Sequence, residues 1–186
     1  SAVLIVLAFV GIYIVRTVVS VAVQGVSDGS GMQYVKEWAA MFKNPMMWLN
    51  IAALPINYFF VFIAFFGEEY GWRYYLQPVL QKRFGLRAGV IILGVVWGLW
   101  HIPDDLFYYT QTSGIQMIFA QQITCISLGI FFAYAYMKTQ NIWVPVCLHY
   151  LNNNLIPIIS GTFSADVLEN QTVSWNCLLY TSPSPR

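Results

Sequence analysis

Charge is what this chain has least of. Only 9% of its 186 residues are charged, against about 25% in an ordinary soluble domain. Hydrophobic residues make up 58%, and mean hydropathy is +0.60. Such a chain is written for a bilayer. The formal net charge is +1, which offers no basic surface for nucleic acid. Cysteine is sparse too: Cys125, Cys147 and Cys177, with no CxxC spacing. That excludes a disulfide framework and a thiolate metal site. There is no HExxH, no internal repeat and no second domain.

Five apolar stretches are each near the roughly 20 residues a bilayer requires. They cover residues 2–23, 46–77, 88–109, 117–137 and 141–160. The expected fold is therefore all-α, a polytopic transmembrane bundle of about five spans. Span 46–77 reads as one long helix, because Gly67 and Gly71 need not stop a buried helix. Pro55 is a candidate kink, and Pro103 should bend or end the third span. The connections are short, the longest being 24–45, with Ser27-Asp28-Gly29-Ser30-Gly31 as its flexible part. Three regions follow: an N-terminal helix and loop (1–45), a core (46–160) and a polar tail (161–186). The tail ends in a run resembling translated sequencing adapter, so part of it reads as a scar. Ser1 already lies inside an apolar run, so flanking helices are expected beyond it.

Lys82, Arg83 and Arg87 follow the second span and Lys138 the fourth, while Asp104 and Asp105 mark the far side of the third. The positive-inside rule puts the Lys82–Arg87 connection in the cytoplasm, with Lys36 and Lys43 standing against the rule. With that topology Glu68 and His101 each lie 14 residues, roughly 21 Å, from a cytoplasmic anchor. His149 and Asn153 fall roughly 16 and 22 Å from theirs. Three helices thus bring their polar residues to about one depth.

Those residues are expensive there. An ionisable group at mid-bilayer costs roughly 2.5–3.5 kcal/mol on insertion scales, so it is seldom idle. Glu68-Glu69 interrupts an apolar run, Phe65-Phe66-Gly67-Glu68-Glu69-Tyr70-Gly71-Trp72-Arg73. On an α-helix Glu69 and Arg73 are about 40° apart, with the acid on the favoured N-terminal side, whereas Glu68 is about 140° from Arg73. Arg73 should neutralise Glu69 and leave Glu68 free as a general base. Trp97 shares a face with His101 at i,i+4. His149 and Asn153 do the same, two donors able to meet a developing oxyanion. Each residue also has a plainer use: a histidine on an apolar helix often just packs, and asparagines often bond neighbouring helices. Asn152 and Asn154 point elsewhere and read as that kind of packing group.

The ordered set Glu-Glu-x-x-x-Arg, aromatic-x-x-x-His and His-x-x-x-Asn resembles the CPBP family, the type II CAAX prenyl proteases and bacteriocin-processing (ABI) proteins. Glu68, Glu69 and Arg73 match the first motif, Trp97 and His101 the second, His149 and Asn153 the third. Trp97 stands where phenylalanine is common. The resemblance covers residues 46–160. It implies an intramembrane endopeptidase in which Glu68, helped by His101, activates water. His149 and Asn153 would hold the oxyanion, and Glu69, Arg73 and Trp97 would support the site. No cofactor is favoured. A zinc-dependent version would use Glu68, His101 and His149 as ligands. The substrate would be a peptide or membrane protein, either a prenylated CAAX protein or a bacterial leader peptide. The compartment would be the plasma membrane of a bacterium or the endoplasmic reticulum of a eukaryote. A proton relay or transporter, or a non-catalytic immunity protein on the same fold, are the rival readings.

Overall fold

The computed structural model describes residues 1–28, 31–160, 171–173 and 175, and among them every regular element is helical. In chain order these are α1 (Ala2–Asp28), α2 (Gly31–Phe42), α3 (Pro45–Glu69), a π-helical segment (Tyr70–Leu76), α4 (Gln77–Phe84), α5 (Leu86–Trp100), α6 (Ile102–Phe107), α7 (Gly114–Thr139) and α8 (Trp143–Ser160).

Local sequence explains the boundaries. Asn44 caps α3 by accepting from the Met46 N–H at 2.9 Å, and Pro45 occupies the first turn, where no N–H is needed. Gly85 turns the chain between α4 and α5 at φ 83°, a left-handed conformation that glycine adopts without strain. His101 closes α5, and Pro103 sits in the first turn of α6, so the third span breaks where proline said it would.

Among the described residues four helices are long and apolar enough to cross a membrane: Ala2–Val19, Pro45–Phe84, Leu86–Phe107 and Gly114–Thr139. The expected fifth, α8, forms but is not apolar enough. His149 and the three asparagines at 152–154 dilute it. The bundle turns large apolar side chains outward; Phe59, Phe60 and Ile63 are 72%, 73% and 66% exposed. A lipid-facing surface has that character, because hydrocarbon rather than water surrounds it.

Two expectations need correction. The stretch 24–45 is not a loop: α1 runs through Asp28, and α2 fills most of the rest. Its amphipathic sequence lets it pack on α1 and α3 instead of staying open, and Trp38 donates across to the Ile159 carbonyl of α8 at 2.9 Å. Of the glycine-serine stretch, residues 29–30 lie outside the described residues. The long second span does run unbroken from Pro45 to Phe84, but its middle is π, not α. Most of the tail 161–186 also lies outside them. Its described part packs back: Gln171 N–H donates to the Tyr109 carbonyl, Val173 N–H to Ser113 Oγ, and Trp175 meets Phe119.

The core gathers Ile5 and Phe9 of α1, Trp97 of α5, Cys125, Leu128, Phe132 and Ala135 of α7, and Val144 and Leu148 of α8. The α5–α7 pair packs backbone to backbone. A Cβ on Gly94 would stand 2.6 Å from Ile126 Cα, and one on Gly129 3.3 Å from Gly94 Cα. The two backbones can approach this far only because both positions lack a side chain. That approach sets Trp97, one turn past Gly94, against α7.

Candidate active site

Glu69 ends α3 fully buried. Its Oε1 lies 2.9 Å from His149 Nδ1 on α8, and its Oε2 lies 3.0 Å from Arg73 Nε on the π segment. The i,i+4 ion pair expected from sequence is present. It is an ion pair by distance only, because the Arg73 N–H is not aimed at the carboxylate. Arg73 is itself fully buried. Its guanidinium sits over the Trp97 ring at 5.3 Å and the Phe132 ring at 5.5 Å, and Nη1 and Nη2 have no hydrogen-bond partner among the described residues. Aromatic faces partly replace the lost water around the cation.

The π segment changes the phase argument. Hydrogen bonds there run i→i+5, as in the Gln77 N–H to the Trp72 carbonyl, so each residue turns the chain by less than in an α-helix. Glu68 and Arg73 are five apart. Glu68 is half-buried and makes no ion pair with Arg73 among the described residues. Arg73 still pairs directly with Glu69.

Trp97 is the hub. It is 2% exposed, and its ring lies 5.4 Å from His149, 5.9 Å from His101 and 6.1 Å from Phe132. His101 is half-buried at the α5–α6 junction, with Nδ1 2.9 Å from the Trp97 carbonyl and 3.8 Å from Cys125 Sγ. A carbonyl oxygen only accepts, so this bond puts a proton on His101 Nδ1 and leaves Nε2 with a lone pair. The Glu69 carboxylate fixes Nδ1–H of His149 in the same way.

The other expected residue, Asn153, stands apart. It is one turn past His149 on α8 but exposed, with its Oδ1 accepting from Asn152 Nδ2 at 2.9 Å. Asn152 also accepts from Tyr13 Oη at 2.5 Å, and Asn154 from Asn57 Nδ2 at 3.3 Å, the packing uses expected for both. So α3, the π segment, α5 and α8 bring Glu69, Arg73, Trp97 and His149 into one buried cluster. Glu68 and His101 lie half-buried beside it.

Three neighbours escaped the sequence reading. Phe132 carries no motif and could not have been singled out. The Glu69–His149 contact joins residues 80 apart and has no local signal. Asp105 did have one, the i,i+4 spacing from His101. It is completely covered, bonded to His101 only through the backbone at 2.9 Å, and neither carboxyl oxygen has a hydrogen-bond partner among the described residues. As for zinc, no three His, Cys, Asp or Glu side chains among the described residues are grouped as a metal ion needs. The set Glu68, His101 and His149 is not assembled as ligands, and no step below runs through a metal.

Comparison with known proteins gives two findings. A family model described as type II CAAX prenyl endopeptidase Rce1-like matches residues 49–155. A curated protein, CAAX prenyl protease 2 of Methanococcus maripaludis, is 27% identical over 125 residues, 62% of this chain and 45% of its own length. The chain thus spans less than half the length of that relative. No solved structure gives a significant match. The matched segment is more than half of the chain and contains Glu68, Glu69, Arg73, Trp97, His101, His149 and Asn153. On that match, the chain belongs to the Rce1-like family of type II CAAX prenyl endopeptidases.

Proposed function

We propose that this protein hydrolyses a peptide bond near the C-terminus of a prenylated CAAX substrate, inside the membrane and without a metal. The observation that carries the reading is the buried Glu69–His149 contact beside Arg73, a charged arrangement no packing role requires at this depth. A CAAX substrate ends in Cys-a-a-X with the prenyl group on the cysteine.

In this reading Glu68 and His101 take up the attacking water. Its oxygen bonds to the carbonyl carbon as its proton passes to the Glu68 carboxylate, and His101 Nε2 accepts the second water hydrogen and orients the lone pair. The carbonyl oxygen becomes an oxyanion. His149 meets it through Nε2–H in its imidazolium form, held against the Glu69 carboxylate. The charges then cancel: Arg73 and His149 are positive, Glu69 and the oxyanion negative. Asn153 supplies a second donor when it turns from Asn152. Collapse breaks the C–N bond, and the proton held by Glu68 goes to the leaving amine. Glu69 and Arg73 do not touch the reacting atoms; they position His149.

The test uses the full-length protein in detergent with a farnesylated C-terminal peptide, cleavage being read by mass spectrometry. Wild type should release the residues after the modified cysteine, and Glu68→Gln should not. Cleavage of bacterial leader peptides in place of the CAAX peptide would move the substrate to the other branch of the family.

A further inference from the structure

Glu69, Arg73, Gln77 and Gln81 follow one another at intervals of four along the second span. That spacing keeps one side chain per turn on a single face of a helix. The structure turns this face inward: Glu69, Arg73 and Gln77 are buried and Gln81 is half-buried. The stripe begins at the Glu69–His149 contact. It ends beside the Gly85 turn, where Gln81 Nε2 donates to the Leu86 carbonyl at 3.4 Å. A polar line thus leads from the candidate site to the end of α4 that carries Lys82 and Arg83.

Its middle is under-bonded. Nη1 and Nη2 of Arg73, Oε1 of Gln77 and Nε1 of Trp97 are all buried without a hydrogen-bond partner among the described residues. Helical side chains lean toward the N-terminus, so the Gln77 amide lies over the turn that bears Arg73. The guanidinium in turn sits on the Trp97 ring. The backbone adds an acceptor. The Gln77 N–H goes to the Trp72 carbonyl and Pro78 has no N–H, so the helix ladder supplies no donor to the Arg73 carbonyl. Each buried polar atom left bare costs about 1–3 kcal/mol. A buried water typically makes about three hydrogen bonds to such groups, and here both donors and acceptors are on offer.

We propose that Arg73 and Gln77 hold an ordered water beneath the Glu69–His149 contact, and that Gln81 passes water to it from the Lys82 end. The guanidinium donates to this water, while Gln77 Oε1 and the Arg73 carbonyl accept from it. An anion is a poorer occupant, because Glu69 already offsets the charge of Arg73 and both acceptors would repel a second negative group. On the reading of the chain as a hydrolase, the stripe brings the second reactant into the bilayer; that role rests on the function proposed above, whereas the water site does not.

The test is microsecond hydroxyl-radical footprinting of the full chain in phosphatidylcholine nanodiscs, read by mass spectrometry. Radicals formed in bulk water do not reach a buried ring, but a bound water ionised in place oxidises the ring beside it. Wild type should be labelled at Trp97 or Phe132, both buried, and the added oxygen should become heavy after rapid mixing into heavy-oxygen water. Gln77→Leu and Gln77→Met should lose that label while the exposed Phe107 keeps its own. Gln77→Glu retains an acceptor and should retain the label. Gln81→Leu should keep the label but take up heavy oxygen more slowly. The proposal is overturned if Trp97 and Phe132 stay unlabelled in wild type, if both apolar Gln77 variants keep the label, or if heavy oxygen enters Gln81→Leu as fast as wild type. No arm reads cleavage. A chain that cleaves nothing can still show the water site, and one that cleaves the farnesylated peptide without the buried label overturns this proposal alone.

Discussion

Replacing Glu69 with Gln removes the anion that lies between Arg73 and His149. Both Glu69 and Arg73 are fully buried, and among the described residues Arg73 has no other acid in direct contact with it. The variant keeps nearly the same volume, so no cavity opens. What changes is charge: a buried guanidinium loses its counter-ion, typically a loss of about 3–5 kcal/mol. The rings of Trp97 and Phe132 offset part of that, at about 0.5–2 kcal/mol in desolvated settings. A net loss of roughly 2–4 kcal/mol should remain. At about 2–4 °C per kcal/mol for a chain of this size, the melting temperature in detergent should fall by roughly 4–16 °C. The double variant Glu69→Gln/Arg73→Met removes the stranded charge with its partner. It should regain most of the loss in stability and none of the activity, because His149 would still lack its carboxylate. The measurement is a thermal melt by intrinsic fluorescence on all four members of the cycle. A single variant as stable as wild type, or a double variant no better than the single, would refute the view that Glu69 compensates Arg73.

Three further outcomes are expected. Glu68→Gln should fold and melt like wild type yet lose cleavage, since Glu68 is half-buried and makes no direct ion pair; wild-type turnover by this variant would remove the assigned base. Asn153→Ala should lower kcat about 100- to 1000-fold with little change in KM, because the amide would act only on the transition state. Asn153→Asp should be at least as damaging, and a fully active Asp variant that chelators silence would favour zinc chemistry instead. Gly94→Val should destabilise the bundle by more than about 1–3 kcal/mol, because its Cβ would stand 2.6 Å from the Ile126 backbone; an unchanged melt would mean α5 and α7 do not approach this closely.

The spans were legible because bilayer-length apolar runs leave a strong signal, and the break at Pro103 was legible because proline lacks an N–H. The Glu69–Arg73 pair was readable from spacing on one helix. Contacts between helices were not. Nothing near Glu69 in sequence announces His149, and the common depth of the polar residues narrowed the site without choosing which acid each histidine meets. The sequence offers Glu69 only the partner on its own helix, Arg73, whereas its carboxylate also meets His149. The i,i+4 rule put Asn153 on the face of His149, but it could not see Asn152 taking its side chain outward. The region after Asp28 was misread because an amphipathic helix of twelve residues carries too few apolar residues to look like a span.

The π turn at Tyr70–Leu76 bears on how this helix tolerates changes of length. A ring closed at i→i+5 holds one more residue than an α turn. Deleting a single residue there would restore the ordinary turn and leave both flanks nearly in place, whereas closing the same residues as α turns would rotate everything beyond by about 100° relative to Glu68 and Glu69. Gln81, whose backbone lies where only a glycine at position 89 can face it, would swing off that contact. One end of the helix is indexed to α8 through Glu69, and the other to α5 through Gln81. An uninterrupted α-helix would satisfy one of these settings and miss the other.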